Sequence, residues 1–381
     1  MWSPTAARSA NNRFAGATRG GFMKAVTLDN IDDFVAGAAV LGAGGGWGPH
    51  IPMLMVKDAV RRYGPVPIVQ PDDLPADGLV IPVGAGGAPT ALIERFFEGS
   101  EWRIAVRALE KRLGRKAVAL MAAELGGGNA VLPVAAAAEL GLPVIDADGM
   151  RRCFPKVEMT LWQLEGVPAS PGVVADTKGN VVLIEGVDNY EVERITRATL
   201  VQMGMMAVAA MYPMTAQRVQ ETSIIGSLTY CHEIGKRLRA VAGGAGNGYD
   251  DLLEFCEGRI VFTGKVIDLE RRTEGGWNLG TVTLEHVEDS DRIMRLDFQN
   301  ENLVALENGR PVVTSPDLIT TLDVETAQAV LTDGLAYGQR LHVLATPAHE
   351  RWLTPEAIDL VGPRAFGYDL DYVHFFEGAT A

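Results

Sequence analysis

The chain predicts an α/β protein: a mostly parallel, helix-covered sheet in the first half, then a β-rich unit shaped as a small barrel or sandwich. Three observations lead there. Short apolar stretches end in glycine three times, at Gly42–Gly46, Gly84–Gly87 and Gly126–Gly128. Strand-like and helix-like segments alternate from 28 to about 150, the pattern of a parallel sheet covered by helices. From 259 to 313 apolar and polar residues alternate, with turn residues every 8 to 14 positions, the pattern of antiparallel β structure. A strand that ends in glycine leaves bare N–H groups and room for a ligand. Three such ends in one domain predict a crevice at the carboxyl ends of the strands.

Taken in order, residues 28–42 form a helix opened near Asn30 and running into the first glycine run. Residues 51–64 carry apolar positions at helical spacing and stop at Gly64. Two short strands, VPIVQ and LVIPVG, follow around a PDDLPADG turn, and 89–113 is helical up to Gly114. KAVALMAAEL is a strand leading to the third glycine run, AVLPVAAAAELG a helix, and LPVIDADGM a strand with a turn. VVADTKGNVVLIEGV is a hairpin turning at Lys178-Gly179-Asn180. Two long helices are expected at 191–212 and 215–241, separated by Pro213, with GGAGNG at 243–248 as a flexible join. The resulting division is an extension at 1–23, the glycine-run domain at 24–168, a hairpin and helical connector at 169–242, the β-rich domain at 243–318 and a mixed closing segment at 319–376.

Composition excludes several classes. A net charge of −14 argues against nucleic acid and anionic membrane surfaces as partners, and no apolar run approaches the ~20 residues that span a bilayer. Cys153, Cys231 and Cys256 are too far apart for a thiolate metal site or a disulfide framework, which fits a reducing cytoplasm. Arg8, Arg13 and Arg19 precede the first acid, Asp29, so 1–23 is expected to be a disordered extension, or residues upstream of a start at Met23; a transit peptide is the alternative.

The candidate chemistry gathers around the glycine runs. Glu124 precedes the third run and Asn129 follows it, while Asp146 and Asp148 fall on one face of the next strand if it is extended. Such carboxylates can serve as base and proton partner, can hold a hard divalent cation, or can simply cap backbone N–H groups. Gly44, Gly45, Gly46, Gly86, Gly87, Gly127 and Gly128 are expected to line the substrate, with Trp47 and His50 following the first run directly. No run matches a nucleotide-binding fingerprint. Of the six histidines none is spaced for a zinc site, so no cofactor is assigned beyond a possible divalent ion. Five methionines between Met203 and Met214 read as packing, or as a soft docking face for a subunit or partner. Arg364 with Asp369 and Asp371 reads as an internal ion-pair group, with binding of a substrate carboxylate as the alternative.

Several longer blocks carry a resemblance: AVLGAGGGWGPH, LVIPVGAGGAPT, the stretch from Ala122 to Thr160, TGKVIDLERRTEGGW, FQNENLVA and VGPRAFGYDLDYV. In this order, over about 24–374, the chain resembles the S-methyl-thiohydantoin desulfurase family. The resemblance implies an N-terminal three-layer α/β domain, a β-rich second domain, and hydrolysis of a cyclic ureide, with an S-methyl thiohydantoin giving a hydantoin and methanethiol. Hydantoinase-like ring opening and an accessory ligand-binding role are the alternatives, and a homo-oligomer or a hydantoinase/oxoprolinase-type partner is expected. The family's first loop usually reads GTGGGGDPY; Ala43, Trp47, Gly48 and His50 stand at its Thr, fourth Gly, Asp and Tyr places. That exchange alters both the pocket's shape and its titratable groups.

Overall fold

The computed structural model describes residues 21–48, 50–87, 91, 97–244, 248–274 and 277–378. The predicted extension up to 20, most of the start of the 89–113 helix and the middle of the glycine join lie outside them. The core of the first half is a mixed sheet of β1 (Ala25–Val26), β2 (Val66–Val69), β3 (Leu79–Gly87), β4 (Ala117–Ala122), β5 (Val144–Ile145), β7 (Gly172–Ala175), β8 (Val181–Ile184) and β9 (Met206–Ala210), with β6 (Ala147–Asp148) beside it. Its order is β1-β2-β5-β4-β3-β9-β7-β8, and β10 (Met214–Thr215) pairs antiparallel with β3 off this path. The strands β2, β5, β4 and β3 run parallel, and β9, β7 and β8 extend the sheet antiparallel.

Both faces are buried, because successive residues of the central strands enter opposite cores. Leu79, Ile81 and Val83 pack under α1 (Ile31–Leu41), α2 (His50–Tyr63), α3 (Ser100–Leu113) and α4 (Gly127–Leu140). Val80, Ala119 and Met121 pack on the other side with Val192 and Leu200 of α5 (Asn189–Gln202) and Val219 of α6 (Ala216–Thr222). This is the expected three-layer arrangement. The small residues of α4 let it sit buried from Gly127 to Ala138, between the sheet and α1 and α2. Asn30 holds the N-cap position of α1, but its side chain turns back to accept from Thr27 N at 2.8 Å.

The two long helices expected at 191–212 and 215–241 are each interrupted. Gly204 and Met205 take positive φ (81° and 61°) and end α5, and Met206–Ala210 becomes a strand between β3 and β7. A buried run of Met, Ala and Val has no period that separates strand from helix. The methionine-rich segment is therefore interior, with Met203, Met206, Met211 and Met214 all buried, and is no docking face. Gly226, at φ 77°, separates α6 from α7 (Ser227–Ala242), and the two residues before it form β11 (Ile224–Ile225), paired with β6.

The second half is an antiparallel sheet of β12 (Arg259–Glu274), β13 (Trp277–His286), β14 (Ile293–Gln299), β15 (Glu301–Glu307), β16 (Arg310–Thr314), β17 (Leu318–Asp323), β18 (Ala329–Val330) and β19 (Arg340–Thr346). Its order is β16-β15-β14-β13-β12-β19-β17-β18. The sheet curls around Phe262, Val282, Leu296, Phe298 and Val343 until β15 meets β17, where Asn302 Nδ2 donates to Ile319 O at 2.9 Å. The first glycine run is sewn to this second sheet: Asn302 N donates to Ala43 O (2.8 Å) and Thr332 N to Gly44 O (2.9 Å). That seam brings β15 against the carboxyl ends of β3 and β4.

Candidate active site

A cavity of about 170 Å³ opens at this seam. At about 30 Å³ per water in the liquid it is room for several waters or a small substituted ring. Its walls come from Gly44–Trp47, from β3 between Pro82 and Gly87, from Glu124 and Asn129, from 154–157, from α5 and from Asn300 and Glu301. Apolar surface from Trp47, Phe154, Leu200 and Met211 surrounds a few polar groups, the usual makeup of a small-ligand site.

Asn129 explains why the second glycine run ends where it does. The pairing of β3 with β4 stops at Val83, and the Asn129 amide then stands in for the missing strand. It accepts from Ala85 N at 2.7 Å and donates to Ala85 O at 3.0 Å, while its second N–H donates to Glu124 Oε1 at 2.7 Å. The amide is fully used. Asn129 therefore positions Glu124 from the cavity wall.

Glu124 also accepts from the Cys153 thiol and from Phe154 N. Burial dominates these stabilising contacts, and the nearby Asp148 charge adds to it, so the Glu124 carboxyl is pushed up to about 7. Glu301 enters from the second sheet, is 3% exposed, and leaves Oε2 without a hydrogen bond. Burial, reinforced by the charge of Glu124, raises its carboxyl, and the guanidinium of Arg152 opposes the rise. The backbone of Gly45 lies against this carboxyl so closely that a Cβ there would fall 2.1 Å from Glu301 Oε1. Two carboxyls whose pKa values are both raised by burial thus converge on one cavity, the arrangement that acid–base catalysis exploits.

The remaining candidates are placed unevenly. Gly44, Gly45, Gly46, Trp47, Gly86 and Gly87 line the cavity. Gly127 and Gly128 lie one layer behind: Gly128 N donates to Gly46 O at 2.7 Å, and a Cβ on Gly128 would meet the Trp47 ring at 3.0 Å. His50 opens α2 and is exposed on a separate surface groove with Lys57 and Arg239, away from the crevice. Arg364 pairs with Asp369 and Asp371, but the group stands exposed at the surface rather than inside, and it does not line the cavity.

Asp146 and Asp148 do not reach the cavity wall. Asp146 Oδ1 caps α7, accepting from Leu228 N (2.7 Å) and Thr229 N (3.1 Å), and Oδ2 accepts from the Thr229 hydroxyl and Gln70. Asp148 Oδ2 accepts from Met150 N and Arg151 N at 3.0 and 2.6 Å. One oxygen of each carboxylate is turned to backbone N–H groups in a capping role, and neither residue lies on the cavity wall. Among the described residues no group of three or more His, Cys, Asp or Glu is arranged to hold a metal ion. Asp146→Ala is expected to lower stability by about 1–2 kcal/mol through loss of the cap while the folded fraction keeps its turnover; urea denaturation with an activity assay checks both.

Sequence profiles of the S-Me-THD-like family match the chain twice, the N-terminal domain at 29–186 and the C-terminal domain at 187–375. The chain belongs to the S-Me-THD-like family. This is the family that the sequence blocks resemble, and its description ties its members to thiohydantoins. The fold is similar to a crystal structure of a protein from Chromobacterium violaceum, with a TM-score of 0.75 and 24% identity over 92% of this chain and 99% of that one. None of the curated proteins compared with the chain matches it. Among the described residues no helix is long and apolar enough to cross a membrane.

In this member of the S-Me-THD-like family the cavity takes residues from both matched domains: Glu124 and Asn129 from the first, α5 and Glu301 from the second. Glu301 is the site residue that reading the sequence missed. It opens a strand whose next four residues, Asn302 to Ala305, are all buried.

Proposed function

We propose that the chain is a hydrolase of five-membered cyclic ureides that turns an S-methyl thiohydantoin and water into a hydantoin and methanethiol. The convergence of Glu124 and Glu301 on one cavity, in a family tied to thiohydantoins, carries this reading. Glu124, half ionised near neutrality, takes a proton from water as the water oxygen bonds to the ring carbon bearing sulfur. Glu301, held neutral by burial beside Glu124, gives its proton to the adjacent ring nitrogen. The tetrahedral adduct then breaks its C–S bond. Glu124 returns its proton to the departing sulfur, and the new hydroxyl gives its proton to Glu301 as the carbonyl forms. The balance closes: one water hydrogen leaves as methanethiol, the other reprotonates Glu301, and the ring nitrogen keeps the proton that Glu301 gave.

The test is thiol and product release, followed by mass spectrometry, from hydantoins, thiohydantoins and S-methyl thiohydantoins, with and without chelator. Methanethiol from the S-methyl compounds alone is expected. Ring opening of plain hydantoins would replace the reading with cyclic amide hydrolysis, and binding without turnover would replace it with an accessory role. Sensitivity to chelator would add a divalent ion to the chemistry.

A further inference from the structure

Trp47 stands at φ 57°, in the left-handed region that a bulky side chain occupies only at a cost. Glycine is the residue that relieves such strain, and the chain has one on each side, Gly46 and Gly48, yet it places an indole here. Strain of this kind persists where the surroundings over-determine it, and it gathers at ligand sites. Internal packing accounts for only part of the compensation, because Trp47 is half-buried, with its ring centre 5.9 Å from that of Phe97. Trp47 also lines the cavity on which Glu124 and Glu301 converge. The third glycine run makes room for it. A Cβ on Gly128 would stand 3.0 Å from the indole Cε3 and 3.2 Å from Cδ2, and a Cβ on Gly127 would fall 2.4 Å from Trp47 O. Gly128 N, donating to Gly46 O at 2.7 Å, pins the loop that carries the indole. Two glycine runs thus cooperate to hold one strained aromatic ring at the cavity wall.

We infer that Trp47 is a specificity-determining residue: its indole packs against the flat five-membered ring held at Glu124 and Glu301 and keeps a second ring on the ureide nitrogens out of the cavity. The inference rests on the cyclic-ureide reading and adds to it the class of ring, one whose nitrogens carry no aryl group. A cavity of about 170 Å³ leaves little space for such a group while the indole stands in its wall.

The experiment is calorimetric binding of hydantoin, N1-phenylhydantoin and N3-phenylhydantoin to the full chain. Wild type is expected to bind the plain ring and reject both phenyl compounds. Trp47→Gly should weaken the plain ring by about 2- to 10-fold, the worth of one ring contact, and should admit at least one phenyl compound, inverting the preference. The indole emission of wild type should change when the plain ring binds, and Trp47→Gly should lose that change. Its melting temperature should stay near that of wild type, since relief of the strained φ opposes loss of the Phe97 contact. Gly128→Ala gives a second handle if Trp47→Gly folds poorly. Its methyl group presses the indole toward the cavity and should weaken the plain ring in wild type, with no effect once the indole is gone. Equal binding of all three compounds by wild type, an unchanged preference in Trp47→Gly, or equal weakening by Gly128→Ala with and without the indole would overturn the inference. Each leaves the cyclic-ureide reading intact, because methanethiol release tests that separately. Failure of wild type to bind any of the three would overturn the two together.

Discussion

Glu124→Gln is expected to lower turnover by about 100- to 10,000-fold, the usual worth of a positioned general base, in a protein that folds at least as well as wild type. The glutamine keeps an acceptor oxygen for the Asn129 amide, so the positioning contact survives. The stability half follows from the sign of the shift. The Glu124 carboxyl is raised from 4.5 to about 7 in the folded chain, so the folded state prefers the protonated form. That preference contributes fully below pH 4.5 and is lost as pH rises through about 7, a change on the order of 3 kcal/mol. A neutral glutamine removes this loss, and the variant should therefore melt no lower than wild type at pH 8. The rate profile changes with it. Wild type should rise with pH through about 7 as Glu124 ionises and fall at higher pH as Glu301 loses its proton, with both limbs belonging to the coupled pair. Full activity in Glu124→Gln would remove Glu124 from the chemistry.

Arg152→Met is expected to be the most destabilising of the site variants, by about 3–5 kcal/mol, because it leaves buried charge without compensation. The Arg152 side chain is 1% exposed. It donates to Cys153 O at 2.9 Å, to Asp317 O at 3.1 Å and to Pro316 O, and its guanidinium lies 4.2 Å from the Phe154 ring centre. Methionine matches its length and packing but strands three carbonyls, and it withdraws the positive charge that Glu301 and Asp317 feel. The urea midpoint should fall accordingly. In the fraction that remains folded the alkaline limb of the rate profile should move up, since the Arg152 charge opposes the rise of the Glu301 pKa. An unchanged midpoint would mean that the cluster tolerates the loss of its cation.

The half of the chain with local pattern was readable. Helices at Ile31–Leu41, His50–Tyr63 and Ser100–Leu113 and the hairpin around Gly179 follow from apolar period and turn residues, which act over a few positions. Met206–Ala210 was not readable, because a buried strand of small and flexible residues carries no alternation. The same contrast runs through the site. Gly44–Trp47, Gly86, Gly87, Glu124 and Asn129 come together because neighbouring parallel strands bring their carboxyl ends to one edge, which the order of elements already implies. Asp146 and Asp148 share that strand position, yet the N-terminus of α7, some eighty residues on, claims Asp146, and the local turn claims Asp148. Glu301 joins through contacts between distant segments, and no local spacing announces such a meeting.

The most direct test of the two-carboxyl hydrolysis is conversion of an S-methyl thiohydantoin in ¹⁸O-labelled water. Methanethiol and hydantoin should appear in equal amounts, with one ¹⁸O in the ring carbonyl that replaced sulfur and no label elsewhere in the ring. Label in a ring-opened acid with sulfur still on carbon, or no thiol at all, would contradict it.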